Sequence, residues 1–216
     1  MREKIIFGIL AGVFIAMAAI AYLTAANPIA GATLFAFGLL TIVNYNFQLF
    51  TGVAGYISIQ SNGKDYCSYS LFCLGVWFWN LIGAFITGFL ISKTATWDKI
   101  YPKLDTLMQA KCNENFSSLL ILGIFCGILM FIAVNTYKRT EAYPAAKIIL
   151  LFTCVIVFIL SGYEHCVANM AYIALYQKFN MQTMELLLAS SIGNIIGCNA
   201  IPLLLRIAGK NIPVKI

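Results

Sequence analysis

From Ala32 to Asn62 this chain carries no charged residue, and from Ile148 to Gln177 it carries only Glu164 and His165. Each run is about 30 residues long, whereas about 20 apolar residues cross a bilayer. Each also holds helix breakers near its middle: Gly52 and Gly55 in the first, Ser161 and Gly162 in the second. A broken helix accounts for both features: two helical pieces joined by irregular backbone at membrane depth. Backbone of that kind survives only where it is buried in protein or lines a cavity.

The rest of the chain fits the same solvent. It is 61% hydrophobic and 10% charged, with a mean hydropathy of +0.87, far from the balance of a soluble domain. Its 216 residues are expected to form a single transmembrane pore domain. Spans are expected near 5–25, 31–60, 68–92, 116–137, 145–177 and 185–207. Arg2 and Lys4 ahead of the first run resemble a signal peptide, but that run outlasts an ordinary signal core and is echoed later, so it reads as a span. The seven cysteines are odd in number, show no CxxC spacing and lie mostly in apolar runs. They read as small buried hydrophobes, not as disulfides or a metal cluster.

The chain also repeats itself. Gly8-Ile9-Leu10-Ala11-Gly12 matches Gly123-Ile124-Phe125-Cys126-Gly127, and Asn80-Leu81-Ile82-Gly83 matches Asn194-Ile195-Ile196-Gly197. The offset of about 114 also carries Thr51 onto His165. Repeat one is expected over about 1–92 and repeat two over about 113–210. Three spans per half force the second copy to enter from the opposite side, so the expected fold is all-α, with six spans arranged as two inverted three-helix repeats. Sites in such proteins lie near the midplane, where paired broken helices meet. With six spans both termini share a side, which holds nine Lys and Arg (Lys215 among them) against five on the other. The excess is expected to put both termini on the cytoplasmic side, and an inner-membrane, prokaryotic protein is the accompanying expectation. The formal charge of +6 therefore calls for no nucleic acid.

The segment Gly162-Tyr163-Glu164-His165-Cys166-Val167-Ala168-Asn169-Met170 resembles the formate/nitrite transporter family, whose pattern there is Gly-Phe/Tyr-Glu-His-Ser-x-Ala-Asn-Met. Leu49-Phe50-Thr51-Gly52 is similar to the family's loop within span two, and Gly193-Asn194-Ile195-Ile196-Gly197 to its span six. Lys111, followed by Phe116 and Gly123, falls at the family's lysine ahead of span four. Val53 and Gly127 stand where the family often has Asn, and Cys166 where Ser is frequent. The resemblance implies an aquaporin-like fold, a homo-pentamer with one pore per protomer, and passage of small monovalent anions or their acids: formate, nitrite, hydrosulfide, lactate, acetate.

An ionisable group at bilayer depth costs at least about 2.5 kcal/mol, so Glu164 and His165 are expected to serve a purpose. A neutral His165 at the pore midpoint donates a hydrogen bond to an anion, or a proton through it, and Thr51 holds it in one tautomer or releases it. Glu164 is expected to accept backbone N–H groups left free by the broken helix. Asn169 either ties the loop or donates into the pore. Asn80 and Asn194, each three residues before a glycine, are expected to pin the broken helices. The resemblance implies that Lys111 attracts anions into a vestibule, and that Leu49 and Phe50 form an apolar constriction. Such a slit opposes a bare anion, which favours the acid form or proton-coupled passage.

Other functions meet specific objections. A water or neutral-solute pore is hinted at by Asn27-Pro28-Ile29, but that triplet sits at a loop. A membrane-embedded enzyme using Glu164 and His165 has no partner dyad, and one histidine cannot build a metal site. A structural subunit has no need of paired broken helices. No cofactor is expected; the expected partners are the anion, protons and lipid.

Overall fold

The computed structural model describes residues 2–139 and 143–210; Lys215, counted above for orientation, lies outside the described residues. Among those residues there is helix and no strand. Four helices are long and apolar enough to cross a membrane: α1 (Arg2–Thr24), α4 (Gly63–Ile91), α6 (Phe116–Lys138) and α9 (Met181–Ile207). Shorter apolar helices fill the two long uncharged runs: α2 (Pro28–Asn44) and α3 (Phe50–Ala54), then α7 (Pro144–Leu160) and α8 (Cys166–Tyr176). A 3-10 turn, Ile57–Ile59, follows α3.

Helix starts are written in asparagine and proline. The side chains of Asn27, Asn62, Asn115 and Asn180 each accept a first-turn backbone N–H, at 2.8–3.2 Å, replacing bonds that a helix start lacks. Pro28 and Pro144 occupy first-turn positions, where a missing N–H does no harm. Asn27-Pro28 is therefore a helix cap.

The long helices pair as α1 with α4 and α6 with α9, and the same atoms make both contacts. A Cβ on Gly12 would run into the Asn80 carbonyl oxygen, and one on Gly83 into that of Ile9. In the second pair a Cβ on Gly127 would meet the Asn194 oxygen, and one on Gly197 that of Ile124. Only glycine permits backbones this close, and in lipid such packing and interhelical hydrogen bonds drive association. The short half-helices bridge the two pairs: α8 packs on α4 and α1 and also on α9, and α3 on α6 and α9 and also on α4.

Two details differ from expectation. The first run is interrupted at residues 45–49, not at Gly52 or Gly55: Gly52 lies inside α3 and Gly55 at its end. The left-handed residue of this break is Asn46, φ 55°, a residue type that tolerates that conformation. The second interruption, at 161–165, does use a glycine, Gly162 with φ 68°. The other difference is α5 (Ala95–Cys112), a helix between the two runs that the span reading passed over. Ile100, Leu104 and Met108 are fully buried at four-residue spacing, one turn apart on one face.

α5 is tied down by polar contacts. Trp97 Nε1 donates to the Leu175 oxygen at 2.9 Å. Lys103 Nζ donates to the Tyr22 and Ala25 oxygens at 2.8 and 2.9 Å, at the end of α1, and burial pulls its pKa below the usual lysine value. The Tyr176 hydroxyl donates to Asp105 at 2.9 Å.

Candidate functional site

Each half-helix is started by one buried asparagine from a neighbouring long helix. Asn80 Oδ1 accepts the Phe50 N–H at 2.8 Å, and its Nδ2 donates to the Gly8 and Gln48 oxygens, both at 2.8 Å. Asn194 Oδ1 accepts the Cys166 N–H at 2.9 Å, and its Nδ2 donates to the Gly123 and Glu164 oxygens, both at 2.8 Å. A break leaves backbone groups without helical partners; in each half one amide satisfies two of them, and its third bond crosses to the paired long helix, at Gly8 of α1 or Gly123 of α6. The two networks also set the register. Gln48 corresponds to Glu164 and Phe50 to Cys166, so His165 is the counterpart of Leu49, not of Thr51, each being its helix's N-cap residue.

The starts of the two half-helices meet at His165 and Thr51. Thr51 Oγ1 lies 2.9 Å from His165 Nε2, and the residues are 1% and 2% exposed. His165 Nδ1 accepts the Ala168 N–H at 3.1 Å, capping α8. A neutral ring that accepts at Nδ1 carries its hydrogen on Nε2, so His165 donates to the Thr51 hydroxyl. That hydroxyl's own hydrogen has no acceptor among the described hydrogen bonds. The Phe158 ring lies 5.8 Å from the imidazole, centroid to centroid. Nothing in the sequence marked Phe158, seven residues upstream in an apolar run.

Glu164 differs from its expected role. Its carboxylate takes Lys111 Nζ at 2.6 Å and Asn169 Nδ2 at 2.9 Å; the loop's backbone is satisfied by Asn194 instead. Lys111, at the C-terminal end of α5, is thus ion-paired, its side chain 13% exposed against 4% for Glu164. Asn169 gives its other amide hydrogen to Ser190 Oγ at 3.2 Å.

Space flanks the pair on two sides. Lys4 and Tyr22 lie near opposite ends of α1, about 27 Å apart at 1.5 Å per residue. On the Tyr22 side a cavity of about 60 Å³ is lined by Lys111, Phe158, His165, Asn169 and Tyr172. On the Lys4 side a vestibule of about 850 Å³, lined by Gln48, Tyr56, Tyr69 and Lys138, adjoins a neck of about 60 Å³. Leu49, Gly52, Val53 and Val134 line the neck. Phe50 does not line it; it borders a lateral apolar groove of about 590 Å³ between α4 and α9. Val53 was noted from the sequence only as a departure from the family's Asn and Lys138 only in the charge count, and Val134 was not singled out at all. Among the described residues no cluster of three His, Cys, Asp or Glu side chains is placed to hold a metal ion.

A family model described as "Formate/nitrite transporter" matches residues 1–207. The nitrite transporter NirC of Escherichia coli (strain K12) is 26% identical over 181 residues, covering 77% of this chain and 65% of NirC. The formate channel FocA of the same organism is 28% identical over 183 residues, covering 75% of this chain and 62% of FocA. The chain therefore spans just under two thirds of the length of these curated relatives. A solved structure described as "Pentameric formate channel with formate bound" superposes with a TM-score of 0.80 at 20% identity, over 96% of each chain. Another, an "FNT family ion channel", gives 0.82 at 20% identity, over 97% of this chain and 91% of its own.

Proposed function

This chain belongs to the formate/nitrite transporter family, and on that premise we propose that it passes a small monovalent anion or its conjugate acid across a membrane. Formate is the first candidate, then nitrite or hydrosulfide. α1, α2 with α3, α4, α6, α7 with α8, and α9 serve as six spans of an aquaporin-like inverted repeat. Five such protomers assemble in the inner membrane, each with its own pore, with termini on the cytoplasmic, cation-rich side. The resemblance to a solved pentameric formate channel and the matched glycine pairs support this arrangement.

The observation that carries the reading is the Thr51–His165 contact at 2.9 Å, buried where the starts of the two half-helices meet. His165 backs the Thr51 hydroxyl, whose free hydrogen is the donor offered to an anion arriving through the neck. Leu49, Val53 and Val134 strip water from it, and an apolar passage opposes the bare charge. A neutral imidazole can release its Nε2 proton toward the anion only by gaining one at Nδ1. Nδ1 is held by Ala168 N–H, so proton transfer and local opening of the α8 start are one event. A proton taken from solvent water at Nδ1 replaces the one that leaves with the acid, so His165 is neutral again after each acid molecule leaves.

The test is a series of formate, nitrite and hydrosulfide fluxes in proteoliposomes of the wild type and His165→Asn. Asparagine keeps a donor and removes titration. Acid flux is expected to fall, or to lose its pH dependence. Wild-type flux with an unchanged pH profile overturns the proton-transfer account; no flux of any of the three anions by the wild type overturns the substrate class.

A further inference from the structure

Asn169 is fully buried, 0% exposed, and lines the small cavity beside His165 and Lys111. Both of its amide hydrogens are committed. One goes to the Glu164 carboxylate, an acceptor only, which fixes the orientation of the amide. The other goes to Ser190 Oγ, whose own hydrogen is given to the Leu186 oxygen at 2.7 Å. Asn169 therefore offers the cavity no donor. What remains is Oδ1, which has no hydrogen-bond partner. A buried acceptor without a donor is costly, and its residue lines a space of about 60 Å³, room for about two waters at about 30 Å³ each.

The surrounding charges are also engaged. Lys111 is paired with Glu164, and the His165 Nε2 hydrogen faces Thr51. The other titratable groups of the lining are the hydroxyls of Tyr22, Tyr163 and Tyr172, each able to donate or accept.

Resting on the reading of the chain as a small-anion pore, we infer that Asn169 Oδ1 is a proton-reading acceptor on the Lys111 side of His165: it takes a hydrogen bond from the undissociated acid and repels the anion. Formic acid, nitrous acid and hydrogen sulfide each carry the hydrogen it needs. Nitrate and chloride, anions of strong acids, carry none between pH 5 and 7. Asn169 thus acts as a specificity-determining residue that favours weak acids over strong-acid anions, whatever their size.

The experiment compares formate with nitrate flux at about pH 5.5 in proteoliposomes of the wild type, Asn169→Leu and Ser190→Ala. Asn169→Leu is expected to lower formate flux on the order of tenfold, the worth of one hydrogen bond, and to leave nitrate leakage unchanged or raised. Ser190→Ala removes an amide tie but keeps Oδ1, and is expected to retain the wild-type ratio. An equal loss of formate and nitrate flux in Asn169→Leu makes the residue purely structural and overturns the inference. A wild type that carries neither formate nor nitrate defeats the transport reading itself. A second measurement stands apart from all variants: a high-resolution structure of the wild type in formate at low pH. An acid or water oxygen within hydrogen-bond distance of Oδ1 is the expected result, and an Oδ1 with no donor in reach overturns the proposal.

Discussion

Lys111 and Glu164 provide a sharp energetic test, because the two readings of Lys111 differ in magnitude as well as mechanism. Read from the sequence, Lys111 is a free cation that concentrates anions. In the structure it lies 2.6 Å from the Glu164 carboxylate, with side chains 13% and 4% exposed. Removing one partner of a buried ion pair costs about 3–5 kcal/mol, because the other charge stays buried without compensation. Lys111→Met leaves the more buried member with Asn169 alone, so a loss of about 3 kcal/mol is expected, roughly a hundredfold in the folding equilibrium. Glu164→Gln leaves an amide oxygen facing a cation that retains some access to water, and about 1–2 kcal/mol is expected. The double variant removes both charges and should cost less than the two single effects added, with a coupling of about 1.5 kcal/mol or more. Equilibrium unfolding in mixed SDS micelles, followed by tryptophan fluorescence, measures all four species. Flux measured over a range of anion and salt concentrations accompanies it. A funnel acts on encounter and is masked by salt; loss of the pair should lower flux at every concentration and salt strength. Additive single effects, with a Lys111→Met defect that salt abolishes, would refute the ion-pair reasoning and restore the funnel.

Asn80→Leu and Asn194→Leu each remove three buried hydrogen bonds, and each should destabilise the protein by about 3 kcal/mol; SDS midpoints check this, and a loss below about 1 kcal/mol in both would mean that the breaks hold without them. Gly197→Leu drives a side chain into the Ile124 carbonyl and should abolish a stable fold or cost at least about 1–3 kcal/mol, whereas Gly63→Ala, with open space around it, should change little; expression and thermal midpoints separate them. Asp105 in α5, outside the spans, has its carboxyl held below the usual range first by the hydrogen bond from Tyr176, with Lys178 assisting. A depressed carboxyl contributes stability above its unfolded value of about 3.9 and loses it as pH falls through the folded value. Tyr176→Phe should thus be less stable than wild type at neutral pH, with the gap closing below about pH 4; a gap independent of pH would remove the Asp105 tie as its cause.

The sequence alone determined the solvent, the family and the existence of two interrupted runs, because those depend on quantities that add along the chain: apolar length, missing charge and a repeated glycine–asparagine pattern. The paired glycines were legible because close backbone approach admits no other residue. The face of α5 was legible too, in the spacing of Ile100, Leu104 and Met108, but a search for spans passes over a helix that is apolar on one side only. What tertiary structure decided is where the first break falls and what each polar group faces. Asn46 takes the left-handed turn that glycine was expected to supply, since asparagine tolerates that conformation. The counterpart of His165 proved to be Leu49, because hydrogen bonds from Asn80 and Asn194 set the register and a constant sequence offset does not. Lys111 and Glu164 are 53 residues apart in sequence, and only the docking of α5 over the second break turns an apparent surface lysine into the partner of a buried acid. Asn169 could have tied the loop or donated into the pore as far as the chain could tell; three-dimensional neighbours took both of its hydrogens, because buried donors find acceptors wherever packing brings them, and left it an acceptor.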